Sequence, residues 1–152
     1  VRDSDTGENS EIVGLQVDGI ELELKGQVND KLYLALGYSD LDGETGKGGE
    51  PREIPEQTAS LWATYQVNDN FGLGFGITHQ GESNIKNDKP GLILPDYTRV
   101  DFAAYYDISE DLSLQLNVEN ITDELYFPHS HSTHQASVGE PLNARISLRK
   151  RF

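Results

Sequence analysis

Three histidines carry the most chemistry in this 152-residue chain: His129, His131 and His134, spaced H-x-H-x-x-H in a polar stretch near its end. Neutral imidazoles suit zinc, copper, nickel or iron, and steps of two and three residues let three rings converge in a loop. Loop histidines without a fixed scaffold are more often solvent-exposed, so no metal is assigned to them. His79 lies at the far end of an alternating segment, where it can face the same region. Trp62, Tyr33 and Tyr105 fall on the otherwise polar or small-residue faces of their segments, available either to a hydrophobic ligand or to packing. Catalysis has little to build on. The chain has no cysteine, no G-x-S-x-G elbow, and no motif that sets a histidine against a serine and an aspartate. The expectation is that it is not an enzyme.

The elements that position these residues are strands. Leu112, Leu114, Leu116 and Val118 alternate with Ser113, Gln115, Asn117 and Glu119, a period of two with one apolar and one polar face. The same pattern predicts seven strands. The first runs from Ile12 past Val13, Leu15 and Val17 and changes parity at Asp18-Gly19 to Ile20, Leu22 and Leu24, which predicts a β-bulge there. The second carries Leu32, Leu34, Leu36 and Tyr38, and the third runs from near Pro55 through Leu61, Ala63, Tyr65 and Val67. In the fourth, Phe71, Leu73, Phe75 and Ile77 alternate with Gly72, Gly74 and Gly76, a face bare enough to leave room for something beside it. Tyr97–Ile108 is the fifth, the segment after Asp111 the sixth, and Ala144, Ile146 and Leu148 mark the seventh. Short turns near 27–31, 67–70 and 108–111 alternate with long loops near 40–54, 82–95 and 122–141. The first long loop holds Asp40, Asp42, Gly43 and Glu44 but lacks the acidic spacing of an EF-hand. Short turns on one side and long loops on the other are the pattern of a transmembrane β-barrel. Tyr33, Tyr38, Tyr65, Phe71, Tyr97, Tyr106, Tyr126 and Phe127 fall near strand ends, as interfacial girdles require.

Composition sets the outer limits. The net charge is −14, which argues against a nucleic-acid partner, because phosphate neutralisation needs Lys and Arg. Mean hydropathy is −0.56, and no apolar run approaches the roughly 18 residues of a membrane helix. Neither fact bears on barrel strands, which are only half apolar. Val1–Ser10 is polar and acidic and reads as the tail of a loop.

Two stretches carry a family resemblance. LNVENITDELYF, with Asn120, Asp123 and Tyr126, resembles the segment that precedes the last strands of TonB-dependent outer-membrane receptors. GEPLNARISLRKRF resembles their carboxy-terminal signature, which Gly139, Pro141, Leu148 and Phe152 match, while Leu142 and Lys150 stand where the family has Arg and an aromatic. GIELELKG is similar to a further strand of the same receptors. The resemblance implies an all-β chain, an antiparallel transmembrane β-barrel segment of about seven strands with short periplasmic turns and long extracellular loops. It implies the carboxy-terminal part of a barrel of about 22 strands, with no counterpart here to the family's plug or TonB box. It also implies transport of a ferric siderophore, the siderophore being cargo and no cofactor being needed, energised by TonB through the amino-terminal part. The setting would be the outer membrane of a Gram-negative bacterium, among outer-membrane lipid, with Phe152 recognised by the barrel assembly machinery. His129, His131, His134, His79 and Trp62 would be the candidates for ligand contact. The alternative is a small soluble β-domain that binds a metal or a partner protein, with Leu112, Leu114, Leu116 and Val118 in a sandwich core.

Overall fold

The computed structural model describes residues 14–88 and 91–152. The start of the first predicted strand at Ile12 and Val13, and the loop tail Val1–Ser10, lie outside the described residues. The described residues form eleven strands: β1 (Leu15–Asn29), β2 (Leu32–Thr45), β3 (Gln57–Asn68), β4 (Phe71–Gln80), β5 (Ser83–Asn84), β6 (Ile93–Leu94), β7 (Tyr97–Ser109), β8 (Leu112–Glu119), β9 (His129–Ser132), β10 (Gln135–Ser137) and β11 (Asn143–Lys150). Among the described residues there is no helix. Seven strands make one antiparallel sheet in the order β1-β2-β3-β4-β7-β8-β11, and β5-β6 and β9-β10 are small ribbons within two of the long loops.

The short turns share one design. Asn29 pairs with Leu32, Asn68 with Phe71 and Ser109 with Leu112, each after a one-residue register shift. Such bulges raise the local twist at a hairpin end. The repeated Gln-Val-Asn-Asp at 27–30 and 66–69 shows why. Asn29 Oδ1 accepts from the amides of Lys31 (2.9 Å) and Leu32 (3.0 Å), and Asn68 Oδ1 accepts from Asn70 N (3.0 Å). Gln27 Nε2 and Gln66 Nε2 donate to the carbonyls of Asn29 and Asn68.

The register assigns each side chain to a face. One face carries Leu22, Tyr38, Leu36, Leu61, Phe75, Ile77, Phe102, Leu116 and Ile146; the other carries Glu21, Ser39, Ser60, Trp62, Gly76, Asp101, Asn117 and Arg145. Among the described residues, no layer covers the apolar face. Leu24 is 67% exposed, Leu148 65% and Ile146 72%, and the buried hydrophobic residues among those described are only Leu94, Tyr97, Ala103 and Tyr126. A sandwich would bury Leu112, Leu114, Leu116 and Val118 under a second sheet, and here they belong to the single open sheet.

Three expectations are corrected. The pairing of β1 with β2 is unbroken from Leu15↔Thr45 to Gln27↔Tyr33, so no bulge lies at Asp18-Gly19. The parity change is an inversion of polarity along a regular strand. Beyond Tyr38 the formerly apolar face of β2 turns to Asp40, Asp42 and Glu44, while Leu41 on the opposite face lines a cleft with Pro51 and Ile54. Gly19 answers to close packing instead: a Cβ there would overlap the Asp40 carbonyl and stand 2.8 Å from Leu41 Cδ2. Second, the loop predicted from Asp40 is strand through Thr45, which removes any calcium-loop geometry from Asp40–Glu44. Third, of the aromatics assigned to girdles, Tyr38, Tyr65, Phe71 and Tyr106 lie on the apolar face, with Phe71 and Tyr106 edge to face at 6.5 Å. Tyr33 and Tyr97 lie on the polar face, and Tyr126 is buried.

Candidate functional site

The most ordered polar arrangement joins the end of β8 to the start of β11. Asn120 is 0% exposed and sits at φ 54°, a left-handed conformation that asparagine tolerates. Its Nδ2 donates to the carbonyls of Glu124 (2.9 Å) and Glu140 (3.0 Å), and its Oδ1 accepts from Glu124 N (2.9 Å). Every polar atom of the buried amide group thus has a partner, as burial demands. Asp123, also left-handed at φ 51°, accepts from Leu142 N at 3.0 Å. Tyr126 is buried against Tyr97 with ring centroids 4.6 Å apart, and its carbonyl accepts from Gly139 N (2.8 Å). A Cβ at Gly139 would overlap the Tyr126 ring, so only glycine fits there.

The sheet anchors this knot through β7. Asp101 Oδ1 accepts from Asn120 N (2.9 Å), while its Oδ2 accepts from Arg99 Nε (3.1 Å) and Nη2 (2.9 Å). Arg99 Nη1 reaches the Tyr126 hydroxyl at 3.3 Å. The Asp101 side chain is 13% exposed and that of Arg99 31%, so this is a half-buried, hydrogen-bonded ion pair. Arg99 and Asp101 were missed in the sequence. The available signal was a charged i, i+2 pair on one face of a strand whose opposite face is apolar.

On the polar face of the sheet, Trp62 lies over the glycines of β4. Trp62 pairs with Gly76, and its Nε1 donates to Thr64 Oγ1 at 3.2 Å. A Cβ at Gly76 would stand 2.6 Å from Trp62 Cε3, and one at Gly74 2.7 Å from Cζ2. The room left by the glycines is therefore taken by the indole of the neighbouring strand, which corrects the expectation of a bare face. Tyr105 borders the same shelf, its hydroxyl 3.3 Å from where a Gly74 Cβ would be.

The four histidines divide between β4 and the β9-β10 ribbon. His79 is on the apolar face with Phe75 and Ile77, opposite Ala59 and Thr98, and its Nδ1 meets Thr98 Oγ1 at 2.9 Å. Strand parity sets it on the face opposite to that of Trp62. His129 and His131 belong to the β9-β10 ribbon and His134 to its turn; His129 Nε2 meets Ser137 Oγ at 2.9 Å. Among the described residues, no group of three His, Cys, Asp or Glu side chains is arranged to hold a metal ion. The ribbon is tied to the first long loop by Glu53, whose Oε1 accepts from Ser130 N at 3.0 Å. That loop is in turn joined to the second, through Asn84 Nδ2 to Glu50 Oε2 (2.6 Å), Arg52 N to Asn87 Oδ1 (2.7 Å) and Thr45 Oγ1 to Asp88 Oδ1 (2.6 Å). Phe152 is fully exposed.

A family model described as TonB dependent receptor-like, beta-barrel matches residues 3–121. The chain belongs to the TonB-dependent receptor β-barrel family. The siderophore receptor PiuA of Acinetobacter baumannii is 30% identical over 156 residues, covering 90% of this chain and 21% of its own length. The ferrioxamine receptor of Yersinia enterocolitica is 32% identical over 129 residues, covering 76% and 18%. The crystal structure of PiuA superposes with a TM-score of 0.79 over 88% of this chain and 21% of that one, at 31% identity. The ferripyoverdine receptor of the Pseudomonas aeruginosa outer membrane, bound to ferripyoverdine, gives 0.77 over 90% and 19%, at 27% identity. The chain thus spans about a fifth of the length of the relatives it matches. As a TonB-dependent receptor barrel segment, its apolar face is the lipid face and its polar face the lumen. The three short turns are periplasmic and the three long loops extracellular. The family is one of transport receptors.

Proposed function

We propose that this chain forms seven wall strands and three outer loops of an outer-membrane receptor that takes up ferric siderophores. The observation that carries this reading is the superposition of about nine-tenths of the chain on receptors named for siderophores, PiuA and the ferripyoverdine receptor among them. The bare apolar face and the polar lumen agree with it. In this reading the receptor lies in the outer membrane of a Gram-negative bacterium, with lipid against the apolar face. TonB supplies energy through parts of the receptor other than these strands. The barrel assembly machinery recognises Phe152. The ferric chelate is cargo, met from outside by the clasped loops, with His129, His131 and His134 on the ribbon that stands furthest from the sheet in sequence. Trp62 serves packing within the lumen wall, because its ring is fitted to Gly74 and Gly76.

The test is a chimera in which this chain replaces the matching fifth of PiuA. The expected result is a heat-modifiable outer-membrane protein that takes up iron-55 presented on a siderophore. A chimera that inserts normally but neither binds nor takes up any of a hydroxamate, a catecholate and a mixed chelate would refute the reading. Failure to insert would refute the wall-strand role itself.

A further inference from the structure

We propose that Asn120, Asp123 and Gly139 set the register of β11 by acting as a tight turn made without covalent continuity. The proposal is independent of which ligand the receptor takes. Strand register is specified by turn geometry or by the alternation of apolar and polar residues. The tight turns after β1, β3 and β7 fix three of the six pairings in the sheet. The pairing of β11 with β8 has no such turn, because residues 120–142 intervene. Alternation cannot supply what is missing. Ala144, Ile146 and Leu148 face Val118, Leu116 and Leu114, and a slip by two residues keeps every side chain on its own face. Within the described sheet β11 has one neighbour, β8.

The knot supplies the missing specification. Three bonds join the residues directly after β8 to those directly before β11: Asn120 Nδ2 to Glu140 O (3.0 Å), Leu142 N to Asp123 Oδ1 (3.0 Å) and Gly139 N to Tyr126 O (2.8 Å). The Tyr126 ring against Gly139 admits no side chain at that position, which fixes the glycine in place along the chain. A slip by two residues would present Leu142 or Val138 where Glu140 now sits, and Pro141 or Ser137 where Gly139 now sits. The ribbon of β9 and β10 is then an insertion in the outer surface that leaves the wall unaffected. Asp101 ties the knot to β7 and acts through Asn120 as a positioning residue.

The chain has no cysteine, so disulfide cross-linking of the full chain in detergent micelles reads the register directly. The native pair is Leu116→Cys with Ile146→Cys; the slipped pairs are Leu114→Cys or Val118→Cys with Ile146→Cys. These three pairings share one hydrogen-bonding class, since the class alternates with period two. With the native knot, the 116–146 pair is expected to cross-link and the others not. The double change Asn120→Gly and Asp123→Gly keeps the left-handed backbone and removes only the side chains. It should move cross-linking toward the slipped pairs by about tenfold or more, since each hydrogen bond lost shifts the equilibrium several-fold. Exclusive 116–146 cross-linking in that variant, with only a lower unfolding midpoint, would overturn the proposal. Should the double variant not fold, Asn120→Asp retains the acceptor for Glu124 N and loses the donor to Glu140 O. It is expected to show partial slippage, and an unslipped Asn120→Asp would overturn the proposal in the same way. Replacing residues 129–137 with a short linker should leave the native pair dominant, and slippage there would also count against it.

Discussion

Gly76→Val should expel Trp62 from its shelf. At Gly76 a Cβ would lie 2.6 Å from Trp62 Cε3 and 2.7 Å from Cζ3, whereas carbon contacts settle at about 3.5–4.0 Å. The indole must therefore recede by about 1 Å, and the valine methyls extend the clash. Overpacking of this kind costs about 1–3 kcal/mol, and breaking the Trp62–Thr64 hydrogen bond adds about 1 kcal/mol. With a urea slope of about 2 kcal/mol/M, the unfolding midpoint falls by about 1 M or more. The assay is clean because Trp62 is the sole tryptophan. Its emission in folded micellar protein should shift to the red as the ring leaves the strand surface for the lumen, in step with the loss of stability. Gly72→Ala is the control: its Cβ would meet Gln66 Oε1 at 3.3 Å and the Tyr65 carbonyl at 3.6 Å, with no ring atom among its three nearest neighbours. Unchanged emission together with a stability change under about 0.5 kcal/mol in Gly76→Val would refute the fitted shelf.

Asp101→Ala strands both Arg99 and the Asn120 amide and should cost about 2–4 kcal/mol, less than a fully buried pair because Arg99 is partly solvated; Asp101→Asn should recover part of it, read by urea unfolding in micelles. Phe75→Arg, on the lipid face, should cost about 2–4 kcal/mol in a bilayer, while Ser60→Arg, toward the lumen, should be tolerated; equal costs would refute the assignment of faces. Glu53→Ala should speed hydrogen exchange at the Ser130 amide and expose the β9-β10 ribbon to protease, leaving the sheet's protection unchanged.

Strands were legible wherever alternation met a single solvent boundary, as in Leu112–Val118. They were misread where the boundary itself crosses the strand. At Gly19 and at Asp40 the polarity of each face inverts while the backbone continues, and a pattern rule that assumes one environment per strand reports a bulge or a loop. The side of His79 was legible by counting from Phe75 and Ile77. The fit of Trp62 to Gly76 was half legible: both were placed on the polar face, but their adjacency needs the register between β3 and β4. Asn120, Asp123, Tyr126 and Gly139 were found through resemblance alone, and what they do became visible only once residues 19 or 20 apart in sequence were seen bonded. Arg99 and Asp101 escaped because a charged pair on a lumen face looks like ordinary wetting until its partners are known.

The sheet order also carries an arithmetic. Each neighbour in β1-β2-β3-β4-β7-β8-β11 runs opposite to the last, so β1 and β11, six steps apart, run in the same direction. Joined to each other they would make a parallel seam, which an all-antiparallel cylinder does not contain. Any such cylinder that includes this sheet must therefore gain an odd number of further strands, entering and leaving against the direction of β1 and β11. The wall built here is thus half of a parity condition, and its two edges accept only complements that restore an even count.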